Sequence, residues 1–338
     1  MASVFVRAND AALTESRTAF AGSVLIGRGV IADVAANSTT IVAANLSDDS
    51  VTVVRPDTVT GPGQVSVQGE PTAVALADDR AYVLTSTAEV DSVVVVDTRA
   101  NTVVATYPLA FTATAIEVSP DGKRAYVART GDDHVDIAVI DTTAERVGTI
   151  DIPAGVGASI DGLRIAPSGR TLYAAVTTIS GSRLLMIDTE TARVRKALSL
   201  GAPIRDLAVT KTAAYVLTSD ITDLGAIVVV DLAGFTVNRT IAAGSLPIQM
   251  AMSADGSRAY VVDYDQVAVL CTVTNDVLET ITVGSRPTAV ALSDQGDRLY
   301  VTDVEGEITA FRVTPPPMYS PFEAIAFADE RELEPVGV

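Results

Sequence analysis

Residues 287–303 read Pro-Thr-Ala-Val-Ala-Leu-Ser-Asp-Gln-Gly-Asp-Arg-Leu-Tyr-Val-Thr-Asp, two apolar runs of strand length on either side of a polar turn that holds Gly296. The first run is Thr288–Ser293 and the second ends Leu299-Tyr300-Val301-Thr302. Short runs of Val, Leu and Tyr bounded by Asp and Gly predict two antiparallel strands. The pattern recurs along the chain. With the tyrosine as a ruler it returns at Tyr82, Tyr126, Tyr173, Tyr215, Tyr260 and Tyr300, at spacings of 44, 47, 42, 45 and 40 residues. One more copy carries Ile41 in place of Tyr, 41 residues before Tyr82.

The second copy predicts four strands: A at Thr72–Leu76, B at Ala81–Thr85, C at Ser92–Val96 and D at Thr102–Pro108. Asp97-Thr-Arg-Ala-Asn101 turns C into D, and Asp-Thr returns at Asp141-Thr142 and Asp188-Thr189, with Asp231-Leu232 as a variant. A short acceptor side chain there closes the turn on backbone N–H groups just beyond it. Ser119-Pro-Asp-Gly122 and Ala166-Pro-Ser-Gly169 place Pro second and Gly fourth, as a type I turn between A and B prefers. Seven such copies, each of several short strands, predict an all-β fold: a seven-bladed β-propeller of four-stranded antiparallel blades over residues 18–313. Helical repeats would instead show a 3.6-residue apolar period.

Thr18–Ile26 reads as a strand with no blade of its own, because the Gly27-Arg-Gly-Val30 that follows aligns with Gly284-Ser-Arg-Pro287 between blades. It is expected to close the ring beside Glu307–Val313. Residues 1–17 form an N-terminal arm and 314–338 a C-terminal tail, where Ser320-Pro-Phe-Glu323 suits a helix start while Ile325 and Phe327 alternate as in a strand.

Ser119-Pro-Asp-Gly-Lys-Arg-Ala-Tyr-Val127, Val93-Val-Val-Val-Asp-Thr-Arg-Ala-Asn-Thr-Val-Val104 and Val283-Gly-Ser-Arg-Pro-Thr-Ala-Val290 resemble the YVTN-repeat seven-bladed β-propellers. The chain departs from that family in lacking the Asn that usually follows its Tyr-Val-Thr or Tyr-Val-Ala. The resemblance implies a shape but no single activity, since such proteins include lactonase-like enzymes, quinoprotein-type domains and binding or surface-layer proteins.

Composition narrows the classes. Hydrophobic residues make up 48% of the chain with no Trp, so the core is built from β-branched and small side chains. Lys plus Arg number 24 against 42 Asp plus Glu, and the net charge of −18 repels phosphate backbones, so nucleic acid is not an expected partner. No membrane span and no secretory signal are visible, and a cytoplasmic location is expected. Cys271 is the single cysteine and His134 the single histidine, which excludes an internal disulfide and a multi-histidine zinc site. No metal or other cofactor is expected.

Charge is distributed unevenly over the predicted ring. The B–C loops carry Asp48 and Asp49; Glu89 and Asp91; Asp132, Asp133 and Asp136; Asp220 and Asp223; Asp263 and Asp265; and Asp303, Glu305 and Glu307, with a gap at blade 4. Strand A begins beside the central channel, where Thr72-Ala73 and Thr288-Ala289 show the small residues that convergence favours. In blades 3–5 charge replaces them: Asp161 and Arg205 align with Thr288, Asp206 with Ala289, and Glu117 and Arg164 with Ala291. The alignment sets Glu117 opposite Arg164 and Asp161 opposite Arg205, either as ion pairs fixing the ring or as a pocket, with Arg129 and His134 as rim contacts. The expected function is a non-catalytic scaffold or binding protein, offering an acidic rim and charged channel mouth to a protein or small-molecule partner, basic or cationic in character. The alternative is a lactonase-like hydrolase acting at the channel.

Overall fold

The computed structural model describes residues 18–56, 61–220 and 224–314. The expectations for the N-terminal arm and the C-terminal tail lie outside them, as does Asp223. The described chain forms seven four-stranded antiparallel sheets in a ring, with one short 3-10 turn at Leu46–Asp48 as its only helix. Among the described residues no helix is long and apolar enough to cross a membrane.

Each blade is shaped by what covers it. The B and C strands of blade 2, Arg80–Ser86 and Ser92–Asp97, are buried along almost their whole length, because neighbouring blades pack on both faces. That explains the continuous Val93-Val94-Val95-Val96 run in place of alternation. The D strand, Thr102–Pro108, is the outer edge and is mostly exposed. The repeat tyrosine ties blades together: Tyr82 is buried among Val93, Val95 and the blade 3 residues Ile116, Val127 and Ile140. Its hydroxyl donates to the carbonyl of Gly122, in the A–B turn of blade 3, at 2.9 Å. Where Tyr215 makes the same approach to blade 6, a Cβ on Gly256 would meet its hydroxyl, so that turn position needs glycine for space as well as for its φ of +73°.

The turns follow the sequence logic. Asp97 accepts the N–H groups of Arg99 and Ala100, each at 2.9 Å, and Gly122 N–H donates to Ser119 C=O at 2.8 Å. In blade 6 the buried Cys271 stands at the aspartate position, and its Sγ receives the Thr274 N–H at 3.4 Å and an Arg258 guanidinium N–H at 3.3 Å.

Thr18–Leu25 pairs antiparallel with Glu307–Val313, the C strand of blade 7, from Thr18↔Val313 to Leu25↔Glu307. The first residue is also held by blade 6, since both the Thr18 N–H and its hydroxyl donate to the Glu279 carboxylate. The closing blade thus draws strands from both ends of the described chain, which removes two open sheet edges.

Candidate functional site

The A strands, Ile31–Ala36, Glu70–Ala77, Thr112–Val118, Ser159–Ile165, Ile204–Val209, Pro247–Met252 and Pro287–Leu292, ring an axial cavity of about 810 Å³. Every one of them breaks register at the same place, between Ile31/Asp33, Pro71/Ala73, Ala113/Ala115, Ile160/Gly162, Ile204/Asp206, Pro247/Gln249 and Pro287/Ala289. A bulge leaves one residue unpaired and re-aims the side chains beside it. Here it faces them toward the axis.

The charged positions converge, though not in the expected pairs alone. Arg164 lies 3.7 Å from the Glu117 carboxylate and 3.0 Å from Asp206, and also donates to the Leu163 carbonyl at 2.8 Å. Asp206 accepts the Leu207 N–H at 2.7 Å with one oxygen and the Met250 N–H of blade 6 at 3.0 Å with the other. Asp33 of blade 1 repeats the device, accepting from Val34 and, one blade on, from Val74 at 3.0 Å. Gln249 of blade 6 joins the two halves: its amide N–H donates to Asp33 and its carbonyl oxygen accepts from Val290 N–H of blade 7. Strand A is the inner edge of each blade, and these side chains satisfy backbone donors that the next blade cannot pair within its own sheet.

Asp33, Asp206 and Gln249 are therefore fixed, while Glu117 and Arg164 face the cavity. Burial pushes the Glu117 carboxyl from 4.5 up to about 7, with Arg164 opposing and the charges of Asp206 and Asp33 adding to the shift. Burial also raises Asp33 against its hydrogen bonds from Val74, Gln249 and Val34. Desolvation works against the Arg164 guanidinium, but Asp206, Glu117 and Asp33 outweigh it and hold the group above its ordinary value. The Arg164 side chain is 35% exposed and Glu117 20%, and both line the cavity.

The remaining candidates separate. Asp161 and Arg205 both line the cavity but form no ion pair: Asp161 accepts from Ser159 Oγ and Thr177 Oγ1 of its own blade, and Arg205 stands exposed. Arg129 and His134 are not part of the channel. Arg129 is buried in strand B of blade 3, where it makes a bidentate pair with Asp136 at 2.7 and 2.8 Å and lies 5.4 Å from the Phe111 ring centroid. His134 lies beyond it on a separate cleft between blades 2 and 3, edge-on to Phe111 and 2.8 Å from Asp133, which raises the imidazole above its usual range. Among the described acids of the B–C loops, Asp49, Glu89, Asp132, Asp133, Asp265 and Glu305 are exposed, whereas Asp136, Asp263 and Asp303 are buried. The last two close loops, Asp263 on the N–H groups of Ser245 and Leu246, and Asp303 on those of Glu305 and Glu307.

Asp33 and Gln249 are absent from the sequence-derived site. Both stand in the Ala289 register position, so the column itself held the signal. Among the described residues no group of three or more His, Cys, Asp and Glu side chains is arranged to hold a metal ion.

No family model matches the chain. A seven-bladed β-propeller protein of Mycolicibacterium smegmatis is 50% identical over 259 residues, spanning 76% of this chain and 70% of that one. The seven-bladed β-propeller protein Rv1057 of Mycobacterium tuberculosis is 32% identical over 275 residues, 70% of each chain. Among solved structures, the hydrazine synthase of Kuenenia stuttgartiensis superposes with a TM-score of 0.75 over 87% of this chain and 98% of that one, at 22% identity, a likeness of fold alone. With the blades, the ring closure and these relatives together, the chain belongs to the seven-bladed β-propeller proteins.

Proposed function

We propose that this propeller is a non-catalytic binding protein whose ligand, a small organic cation, enters the axial cavity across the acid-rich loop face. The observation that carries the reading is the charge imbalance at Arg164: Glu117 and Asp206 lie within 4 Å of one guanidinium, with Asp33 adding its field, so carboxylates outnumber the cation. Asp206 and Asp33 are occupied with backbone donors. Glu117 is the carboxyl left to receive an ammonium or guanidinium group, and binding one would favour its ionised form against the burial, and the lesser like charge, that push its pKa up. The cavity volume of about 810 Å³ suits a small molecule. The exposed Asp49, Glu89, Asp132, Asp133, Asp265 and Glu305 around that face raise the local concentration of cations. The likeness of the repeats to the YVTN type, which includes binding propellers, is compatible with this role.

Thermal unfolding against a panel of amines, guanidines, carboxylates, neutral sugars and lactones tests it. Amines or guanidines should raise the midpoint in proportion to log concentration, and neither Arg164→Ala nor Glu117→Gln should respond as the wild type does. Stabilisation by carboxylates instead would refute the cation reading. One observation favours a second reading, a lactonase-like hydrolase: a carboxyl near 7 can serve as a general base for water. The single histidine lies outside the cavity and the single cysteine is buried in a blade 6 turn, so no side-chain nucleophile with a histidine base stands beside Glu117. Lactone turnover that disappears in Glu117→Gln would establish that alternative.

A further inference from the structure

The acid-rich face is not acidic all round. Along blades 4–6 it exposes six large apolar side chains, Val156, Ile179, Leu224, Leu246, Ile248 and Tyr264, ranging from 48% exposed at Ile248 to 95% at Ile179. Among the described residues, the A–B and C–D turns of the opposite face expose one, Val273. Loop tips normally carry small or polar residues, and an apolar side chain at the tip of the Ile179-Ser180 turn gains nothing from folding. The six are linked through touching loops, the two halves of the arc meeting where Ser219 N–H, paired across from Gly225, donates to the Pro203 carbonyl at 3.1 Å. A Cβ on Gly157 would lie 3.9 Å from Ile179 Cγ2, and one on Gly181 would lie 3.0 Å from the Gly201 carbonyl, whose loop continues as Ala202-Pro203. Gly225, next to Leu224, is in the same way packed against Pro247, and the Leu246 N–H donates at 2.6 Å to Asp263, next to Tyr264.

Exposed acids mark the two ends of this arc, with Asp220 half-buried between them. Beyond Val156 stand the exposed Asp132, Asp133 and Asp151, and beside Tyr264 stands the exposed Asp265, while Arg205 is exposed along the inner margin. We infer that this face of blades 4–6 is a docking surface for a segment of another protein that presents apolar side chains between basic ends. A second copy of the chain would bring another net −18 against the same acids, and an anionic bilayer would be repelled by them. Lys and Arg flanking an apolar core complement both features at once. Ile248 and Arg205 also line the mouth of the axial cavity, whereas Val156, Ile179, Leu224, Leu246 and Tyr264 stand outside its lining, so the surface adjoins the cavity without depending on the cation reading.

The test is selection of a phage-displayed random peptide library on the full chain, followed by calorimetry with the enriched peptides. Ile179→Ser/Leu246→Ser removes two exposed side chains and should leave thermal unfolding unchanged. Enriched peptides should combine Leu, Ile or Phe with Lys or Arg, bind that double variant about tenfold more weakly or worse, weaken with added salt, and bind Arg164→Ala as they bind wild type. The inference is overturned if no sequence is enriched, or if enriched peptides bind the double variant equally well. It is also overturned if the two substitutions instead dissolve a wild-type dimer seen in sedimentation, or abolish binding to vesicles of phosphatidylcholine and phosphatidylglycerol.

Discussion

The A strands of blades 2 and 7 and those of blades 1 and 3–6 occupy the same place in the ring, with the same bulge, yet line the axis differently. Blades 2 and 7 present Thr72-Ala73 and Thr288-Ala289, with Ala75 and Ala291 further along. The others present Asp33, Glu117, Arg164, Asp206 and Gln249. Blades 2 and 7 pack without those charges, so the blade itself does not require them. What specifies a blade lies in the buried B and C strands and the turns; the axis is where individual blades diverge. Within the charged set a second division holds, because Asp33, Asp206 and Gln249 bond the next blade's backbone while Glu117 and Arg164 do not.

The largest effect on folding should come from Asp206→Ala. It strips Arg164 of its nearer carboxylate and leaves the Met250 N–H without an acceptor, which places the loss at about 3–5 kcal/mol by chemical unfolding. A cost below about 1 kcal/mol would mean the aspartate is not a tie between blades 5 and 6. Asp33→Ala removes hydrogen bonds from Val34, Val74 and Gln249 but no ion pair within 4 Å, and should cost less, about 1–3 kcal/mol.

These positions also mark how far the sequence could be read. The ring was legible because the tyrosine, the Asp of the C–D turn and the Gly of the A–B turn each have a local physical job that repeats. The axial column was legible where the tyrosine ruler could be counted back, and it put Glu117 and Arg164 together correctly. Asp33 escaped it because blade 1 has no tyrosine and the ruler was set on Ile41, whereas the register places Val42 there, Ala35 pairing with Val42 as Ala291 pairs with Tyr300; Gln249 sits in register but carries no charge to attract notice. The pairing of Asp161 with Arg205 failed for a different reason. Neighbouring columns fix backbone positions, but Ser159 and Thr177 turn the Asp161 carboxylate back into its own blade. Arg129 likewise has a partner across the strand pair, Asp136, that draws it away from the axis. Acids in the B–C loops read alike in sequence, whereas backbone donors bury Asp263 and Asp303 and leave Asp265 and Glu305 outside.

A pH series sharpens the division between Glu117 and the tied carboxylates. Folding raises this carboxyl from 4.5 to about 7, so between those values the folded chain holds a proton that the unfolded chain has released. Its stabilising contribution is fully present below 4.5 and is lost as the pH rises to about 7. Glu117→Gln should remove that fall, making the variant's unfolding midpoint less sensitive to pH than the wild type's across this window. Equal slopes for the two proteins would place the proton elsewhere. The smallest effect belongs to blade 7: Thr288→Ala gives up a 3.0 Å contact with Thr302 and should stay within about 1 kcal/mol of wild type. A loss as large as that of Asp206→Ala would erase the distinction between the two kinds of axial lining.

The most direct measurement is a calorimetric titration, near pH 8, of the most stabilising amine or guanidine from the panel into wild type, Glu117→Gln and Thr288→Ala. A cation held by the Glu117 carboxyl predicts one site per chain in the wild type and in Thr288→Ala, and at least about tenfold weaker binding in Glu117→Gln. Equal affinity in all three proteins, or no heat of binding in any, would contradict the account.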